Sequence, residues 1–374
     1  MTLDLASLPE ITFADADAGR VEQSVITTYE ALSGRTLYAG DPVRLFLESL
    51  AYIIAQQRAV IDYTGKMNLL RYAAGGYLDH LGVLTGVGRL PAAAARCTMR
   101  FSPSEPLAFA VAIPAGTRVT PDGQAEFATL EAAELAAGAA YVDVTAAATE
   151  TGAALNGLLP GQVNQVVDPV AYIASVANTT TTSGGADAED DEALRARIQL
   201  SPESFSTAGP RLAYVFWAKT AHQSIADVAV TSPTPGVVDV RVLLAGGELP
   251  GPDILALVEA TLSGDELRPL TDNVQVSAPD SVAFDVALTW YLRTQDATLA
   301  AQIQAAVNDA IAGYVAWQQA AIGRDVNPSE LIKRVVAAGA KRAVVTSPAF
   351  AAVGATEVAT LGTLTVTYGG TEAA

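Results

Sequence analysis

The sequence holds one cysteine, Cys97, in 374 residues. No intrachain disulfide and no cysteine-based metal site can form, which fits folding in a reducing cytosol. Histidine is nearly as scarce, with only His80 and His222, so little is on hand for the commonest acid–base and metal chemistry. Cations are few: 22 Lys and Arg stand against 40 Asp and Glu, a net charge of −18. Nucleic-acid binders usually carry a basic field, so a duplex would be repelled overall, although a local basic patch is a separate matter. Aromatic residues make up 6% and are not interleaved with basic ones, which leaves no stacking platform for single strands. No run approaches the ~20 apolar residues that a membrane-spanning helix needs. The most apolar windows, such as Ala51–Ala55 and Val335–Val345, are cut short by Gln or Arg. Met1-Thr-Leu-Asp-Leu has no basic region followed by an apolar run, so no secretory signal is expected.

What is present is apolar. Half of the residues are hydrophobic, mean hydropathy is +0.29 and 17% are charged. A disordered chain needs the opposite balance. The length allows two or three domains, and the pattern changes twice. Residues 1–90 read as helical. Asp15 and Asp17 precede a periodic segment, Val21–Leu32, closed by Ser33-Gly34. Asp41-Pro42 then starts a long helix, with Asp as N-cap and Pro in the first turn. Its apolar residues Val43, Phe46, Leu47, Leu50, Ile54 and Ile61 share one face. Unbroken to Arg71 it would be ~45 Å long at 1.5 Å per residue, with Gly65 as the point where it would kink or end. A short helix is expected at Tyr77–Leu84. The helix before the long one is too short to cover this stripe, so another chain is the expected cover; packing within its own chain is the alternative.

Residues 91–185 switch to a period of two. Cys97–Phe101, Phe109–Ile113, Thr117–Thr120, Glu126–Leu130, Tyr141–Thr145 and Val170–Ala177 read as strands, and Asn178–Gly185 as a Thr/Gly loop. Pro114-Ala-Gly116 and Pro121-Asp-Gly123 are turns, in which Pro presets φ and Gly accepts positive φ. The zone reads as an antiparallel β domain. Residues 186–374 alternate helices (Asp190–Gln199, Pro210–Thr220, Asp253–Leu262, Ala297–Tyr314, Pro328–Ala338) with strands (Ile225–Thr231, Val237–Leu244, Asn273–Ser277, Val282–Leu292, Lys341–Thr346, Leu361–Thr367). Several strands are consecutive, which argues α+β rather than a strictly parallel sheet. The whole reads as a multidomain α+β protein. It has a helical N-terminal region, an antiparallel β domain and a C-terminal α+β region of one or two subdomains.

The search for chemistry is negative. There is no phosphate-binding G-x-x-x-x-G-K-[ST], no G-x-S-x-G elbow and no H-E-x-x-H. His80 reads as a polar helix residue beside Leu81 rather than as half of an Asp79–His80 pair. His222 ends a predicted helix, where a cation suits the dipole. The acidic run Asp187-Ala-Glu-Asp-Asp-Glu192 lacks the Gly at position six and the Glu at position twelve of an EF-hand loop. It reads better as a helix start. Asp187, Asp190, Asp191 and Glu192 would cap it and complement its dipole, and Arg195 would pair with Asp191. That helix is expected to lock the β domain to the C-terminal region. No catalytic residue, cofactor site or metal site is assigned. Forty acids still permit a carboxylate pair of the kind that hydrolyses glycosides.

Several segments together resemble the baseplate J family of contractile phage tails and related injection machines. They are Tyr38–Tyr52 with Asn68–Ala73 and Gly76-Tyr-Leu-Asp-His-Leu-Gly82; Ile113-Pro-Ala-Gly-Thr-Arg-Val119; Gly184–Ile198; Arg268-Pro-Leu-Thr-Asp-Asn-Val-Gln-Val276; and Gly323-Arg-Asp-Val-Asn-Pro-Ser-Glu-Leu331. They occur in the family's order. The resemblance implies a structural baseplate wedge protein without enzymatic activity or cofactor, which forms a ring around the central hub and rearranges when sheath contraction is triggered. It also implies self-association and a second wedge protein as partner, with hub and sheath proteins as further candidates. The place of action would be the virion or tail-particle baseplate, assembled in the host bacterial cytoplasm. The family's N-terminal helices typically join a bundle with partner subunits, which maps here to Asp41–Arg71. Two rivals are a sheath- or tube-associated tail protein and a tail-associated cell-wall hydrolase.

Overall fold

A computed structural model describes residues 4–206, 209–264, 267–269 and 271–373. Met1–Leu3 and Leu270, which lies within the Arg268–Val276 segment, fall outside the described residues. The chain divides into two units, Met1–Arg89 with Asp190–Pro202, and Leu90–Glu189 with Glu203–Ala374.

The first unit is helical: α1 (Ala18–Ser33), α2 (Pro42–Lys66), α3 (Gly76–Val83) and α4 (Asp191–Leu200). Each start has a local cause. The Asp17 carboxylate accepts from the Arg20 N–H and that of Asp41 from the Val43 N–H, both at 2.8 Å, and Pro42 occupies the first turn. α1 ends where Gly34 turns left-handed at φ 67°. α2 stops at Lys66 and not at Arg71, so it spans about 37 Å at 1.5 Å per residue. The stop follows Gly65, and the next residues form tight turns, with Asn68 N–H donating to the Gly65 carbonyl and Leu69 N–H to that of Lys66. In the last turn of α3, Gly82 lets the Val87 carbonyl come close. A Cβ there would sit 2.4 Å from that oxygen.

α4 corrects three expectations. Sequence order places it in the C-terminal region, but it belongs to the helical unit. There Arg195 donates from Nε to the Leu70 carbonyl at 2.8 Å and from Nη2 to the Ala73 carbonyl at 2.6 Å. Arg195 therefore does not pair with Asp191; its nearest carboxylate is Glu192. Asp191 instead accepts from Gly75 N–H at 2.9 Å and pairs with Arg89 at 2.6 Å, and both hold its carboxyl below the ordinary range. Asp190 is the N-cap, accepting from Ala193 N–H at 2.8 Å. Asp187 does not cap this helix, because its carboxylate accepts from Ala153 N–H at 3.3 Å in the other unit.

Among its described residues the second unit carries three sheets of three or more strands. β1 (Ala94–Pro103), β2 (Val111–Ile113), β3 (Arg118–Thr120), β4 (Phe127–Thr129), β5 (Ala133–Leu135), β6 (Val142–Thr151), β7 (Gln165–Val166) and β8 (Ile173–Asn178) pair only antiparallel. Six of them, in the order β7-β3-β4-β6-β1-β8, make a nearly closed barrel, while β2 pairs with β5. Alternate residues Ala95, Cys97, Met99 and Phe101 of β1 and Val144, Ala146 and Ala148 of β6 point into its core. The turn at Pro121-Asp-Gly123 forms because the Asp122 carboxylate accepts from the N–H groups of Gln124 and Ala125, while Gly123 adopts φ 83°. The long stretch from Gly152 to Asn164 has no strand of its own. It is held by buried Asn178, which accepts from Val163 N–H at 2.9 Å and donates to the carbonyls of Leu159 and Thr180.

The rest of the unit is α+β. α5 (Arg211–Ala221), β9 (Ile225–Thr231), β10 (Val237–Leu244), α6 (Pro252–Leu262) and β11 (Asn273–Ser277) build a sheet ordered β11-β10-β9, with α5 and α6 packed on its core. β12 (Asp280–Arg293), α7 (Ala300–Gln319), α8 (Pro328–Ala337), β13 (Arg342–Ser347) and β14 (Glu357–Glu372) build a second, ordered β13-β12-β14. In each, one neighbour of the central strand is antiparallel and the other parallel. Trp290, Leu292, Val307, Tyr314, Leu331 and Val335 lie at the centre of the last core.

Candidate assembly surface

α2 turns its small side chains inward. Its buried residues are Ala51 and Ala55, which pack with Val21 and Val25 of α1. Two alanines against two valines allow close approach of the helices but leave the large side chains of α2 on the other sides. Of the stripe read from sequence, Phe46 is 60% exposed, Ile61 56%, and Leu50 and Ile54 38% each, while Val43 and Leu47 are half-buried. The sequence reading missed a further set: Leu45, Tyr52, Ile53, Val60 and Tyr63 are exposed as well. A signal for part of it was present. Phe46, Ile53 and Val60 recur every seven residues, beside the rows Leu47, Ile54, Ile61 and Val43, Leu50. Three adjacent apolar rows at that spacing form a seam fit for another helix. Exposed apolar side chains are normal singly; contiguous ones mark an interaction site.

One end of α2 is partly covered by the chain's own N-terminal strap. The Phe13 ring lies over Gly65, where a Cβ would sit 2.5 Å from it. Phe13 N–H donates to the Asp62 carboxylate at 2.8 Å, Ile11 N–H to the Tyr72 hydroxyl at 3.3 Å, and Arg71 to the Leu8 carbonyl. Lys66 is 2.7 Å from Asp62. That hydrogen bond, then the one from Phe13, holds the Asp62 carboxyl below its ordinary range. A depressed carboxylate stabilises the docked strap above its free pKa of about 4, and the contribution is lost as pH falls through the lower, docked value. Protection of Ile11–Phe13 against hydrogen exchange, taken relative to the free-chain rate at each pH, is therefore expected to fall on acidification below about pH 4, and in Asp62→Asn to be low at neutral pH too. Unchanged protection in Asp62→Asn would show that this contact does not hold the strap.

The residues singled out for chemistry are scattered. His80 is exposed on α3, and Asp79 beside it pairs with Arg89 at 2.8 Å. His222 is buried, with Nδ1 2.7 Å from the Ser224 hydroxyl. Burial pushes its imidazole pKa down, so the structure favours a neutral ring rather than a cation at the end of α5. Cys97 lies inside the barrel, and burial pushes its thiol up to about 12, far from a thiolate at neutral pH. Among the described residues, no three His, Cys, Asp or Glu side chains converge on a point that could hold a metal. No described helix is long and apolar enough to cross a membrane.

Comparison with known proteins gives three matches to models of one family. Residues 98–185 match the baseplate J-like protein barrel domain, 206–278 the baseplate J-like central domain, and 286–367 the baseplate J-like protein C-terminal domain. The chain is 31% identical over 161 residues to baseplate protein J of Escherichia phage P2. That match covers 43% of this chain and 52% of the relative, about half its length. A chain in the cryo-EM structure of the anti-feeding prophage baseplate, 6-fold symmetrised, is similar at 13% identity and a TM-score of 0.43, covering 92% of this chain and 89% of that one.

Proposed function

The chain belongs to the baseplate J-like family, and from that premise we propose that it is a structural component of a contractile-tail baseplate, built into the wedges around the central hub. The observation that carries the reading is the outward apolar face of α2. A surface of this kind, in a chain of net charge −18, suits a subunit that is kept soluble by its charge and completed by its neighbours. The seven-residue rows fit a helix of another subunit, from a second copy or from a second wedge protein. The role asks for no catalytic step: the protein works by binding its neighbours and changing those contacts when sheath contraction is triggered. Assembly would take place in the host cytoplasm, before the particle is released.

The test is location. Tail particles carrying this chain with a peptide tag inserted at the exposed Glu105–Pro106 turn, imaged with a tag-specific antibody fragment, should show label in a ring at the baseplate. Label along the sheath or tube, or particles lacking the chain, would overturn the proposal.

A further inference from the structure

Among the described residues β14 is an edge strand, because the order β13-β12-β14 leaves its outer side without a partner strand. Between Glu357 and Glu372 it has no charged residue and no proline. Natural sheets usually guard such an edge with Lys, Pro or a bulge, since an unpaired row of N–H and C=O groups templates another strand. β14 has two bulges, both built in. At the first, Leu361 to Leu364 opposes Phe284 to Val286, and Asp285 accepts from the N–H and hydroxyl of Thr363 at 2.7 and 2.8 Å. At the second, Tyr368 to Thr371 opposes Trp290 to Leu292, and Gly369 makes room for the Tyr291 ring, 2.4 Å from where a Cβ would be. Between the bulges, Leu364–Tyr368 runs in unbroken register, and nothing guards it. Leu364 and Tyr368 pair with buried Val286 and Trp290, yet are 51% and 37% exposed. The core therefore runs to the margin of the sheet and stops there uncovered.

We propose that this edge pairs with β14 of a second copy of the chain, antiparallel, about a two-fold axis through Val366. In this register Leu364 opposes the second copy's Tyr368, Thr365 opposes Thr367, and Val366 meets itself. An aliphatic–aromatic pair, a Thr–Thr pair and a β-branched pair are all favourable cross-strand neighbours. Charge selects the occupant and its direction. At the C-terminal end, Lys341 and Arg342 both flank Glu372, at 3.5 and 3.0 Å, two cations against one anion. At the N-terminal end, Glu357 accepts from Gly354 N–H and has no cation beside it among the described residues. Antiparallel pairing brings the cationic end of each copy toward the carboxylate end of the other, whereas parallel pairing would set like ends together. The contact uses the same patch on both copies and closes on itself. It rests on the assembly reading above but not on α2.

Single cysteines test it in the full chain, whose one native cysteine is buried. Two antiparallel residues in register bring their Cα atoms within disulfide reach. Under mild oxidation, Val366→Cys should form a covalent dimer. Leu364→Cys mixed with Tyr368→Cys should cross-link to each other in preference to themselves. Adding Thr365→Lys with Thr367→Lys, which sets cations opposite one another, should abolish the Val366→Cys dimer while leaving the melting temperature of the chain in place. The Val366→Cys dimer should persist when Phe46 and Leu50 are both replaced by Asp, which separates this contact from the α2 surface. Failure of Val366→Cys to cross-link, or Leu364→Cys linking only to itself, would overturn the proposal.

Discussion

Replacing Phe46 and Leu50 together by Asp is expected to stop incorporation into the baseplate while the chain stays folded. The two side chains are 60% and 38% exposed, so the isolated fold gains little from them. The cost within the chain is mainly helix propensity, about half a kcal/mol per substitution. In an assembly the same side chains would become buried, each worth ~1.5–3 kcal/mol. Losing both removes ~3 kcal/mol or more, about a hundredfold in affinity, before the cost of desolvating two carboxylates. The opposite face supplies the contrast. Ala51 and Ala55 are 1% and 6% exposed, and Asp at both would bury two charges between α1 and α2 and melt the helical unit. Circular dichroism of the free chain and its recovery in purified particles distinguish the two faces. Normal incorporation of the Phe46 and Leu50 variant would show that the stripe is not an interface. Its unfolding would show that the stripe is core.

Much of the local structure was legible in the sequence because its causes are local. Asp17, Asp41 and Asp190 each accept from an N–H two or three residues on, and a residue type at a fixed offset is what spacing can reveal. β5 and β7 were not legible. They are three and two residues long, and only their pairing with β2 and β3 makes them strands. The full length of β14 was not legible: the sequence pattern supports only Leu361–Thr367, while the strand runs Glu357–Glu372, with Gly362 at its first bulge and Gly369 and Gly370 at its second. Arg195 looked like an ion-pair partner for its own helix. The carbonyls of Leu70 and Ala73 that it satisfies lie more than a hundred positions away. The same limit shaped the reading of α2. A 3.6-residue period picks out one apolar stripe, but it is silent on which side faces in, and here the inward side is marked by alanine.

The C-terminal core gives the second large effect, with two substitutions of opposite sign. Trp290 is fully buried on β12, with its ring centroid 4.7 Å from that of Tyr368, in the cluster formed with α7 and α8. Trp290→Ala should cost ~3–5 kcal/mol, lost transfer energy plus the cavity left behind. At about 2–4 °C per kcal/mol for a unit of this size, the melting temperature should fall by roughly 10 °C. Tyr314 on α7 is buried in the same core, but its hydroxyl has no hydrogen-bond partner among the described residues. Burial pushes its pKa up to about 12, so the group is a neutral, desolvated phenol. An unpaired buried hydroxyl costs ~1–3 kcal/mol, and Phe keeps the ring while removing that cost. Tyr314→Phe should therefore raise the melting temperature by a few degrees, about 2–4 °C per kcal/mol recovered. Calorimetry of the full chain reads both. A Trp290→Ala transition at the wild-type temperature would place the core elsewhere. A clear loss of stability in Tyr314→Phe would mean that the hydroxyl makes a bond which holds α7 in place.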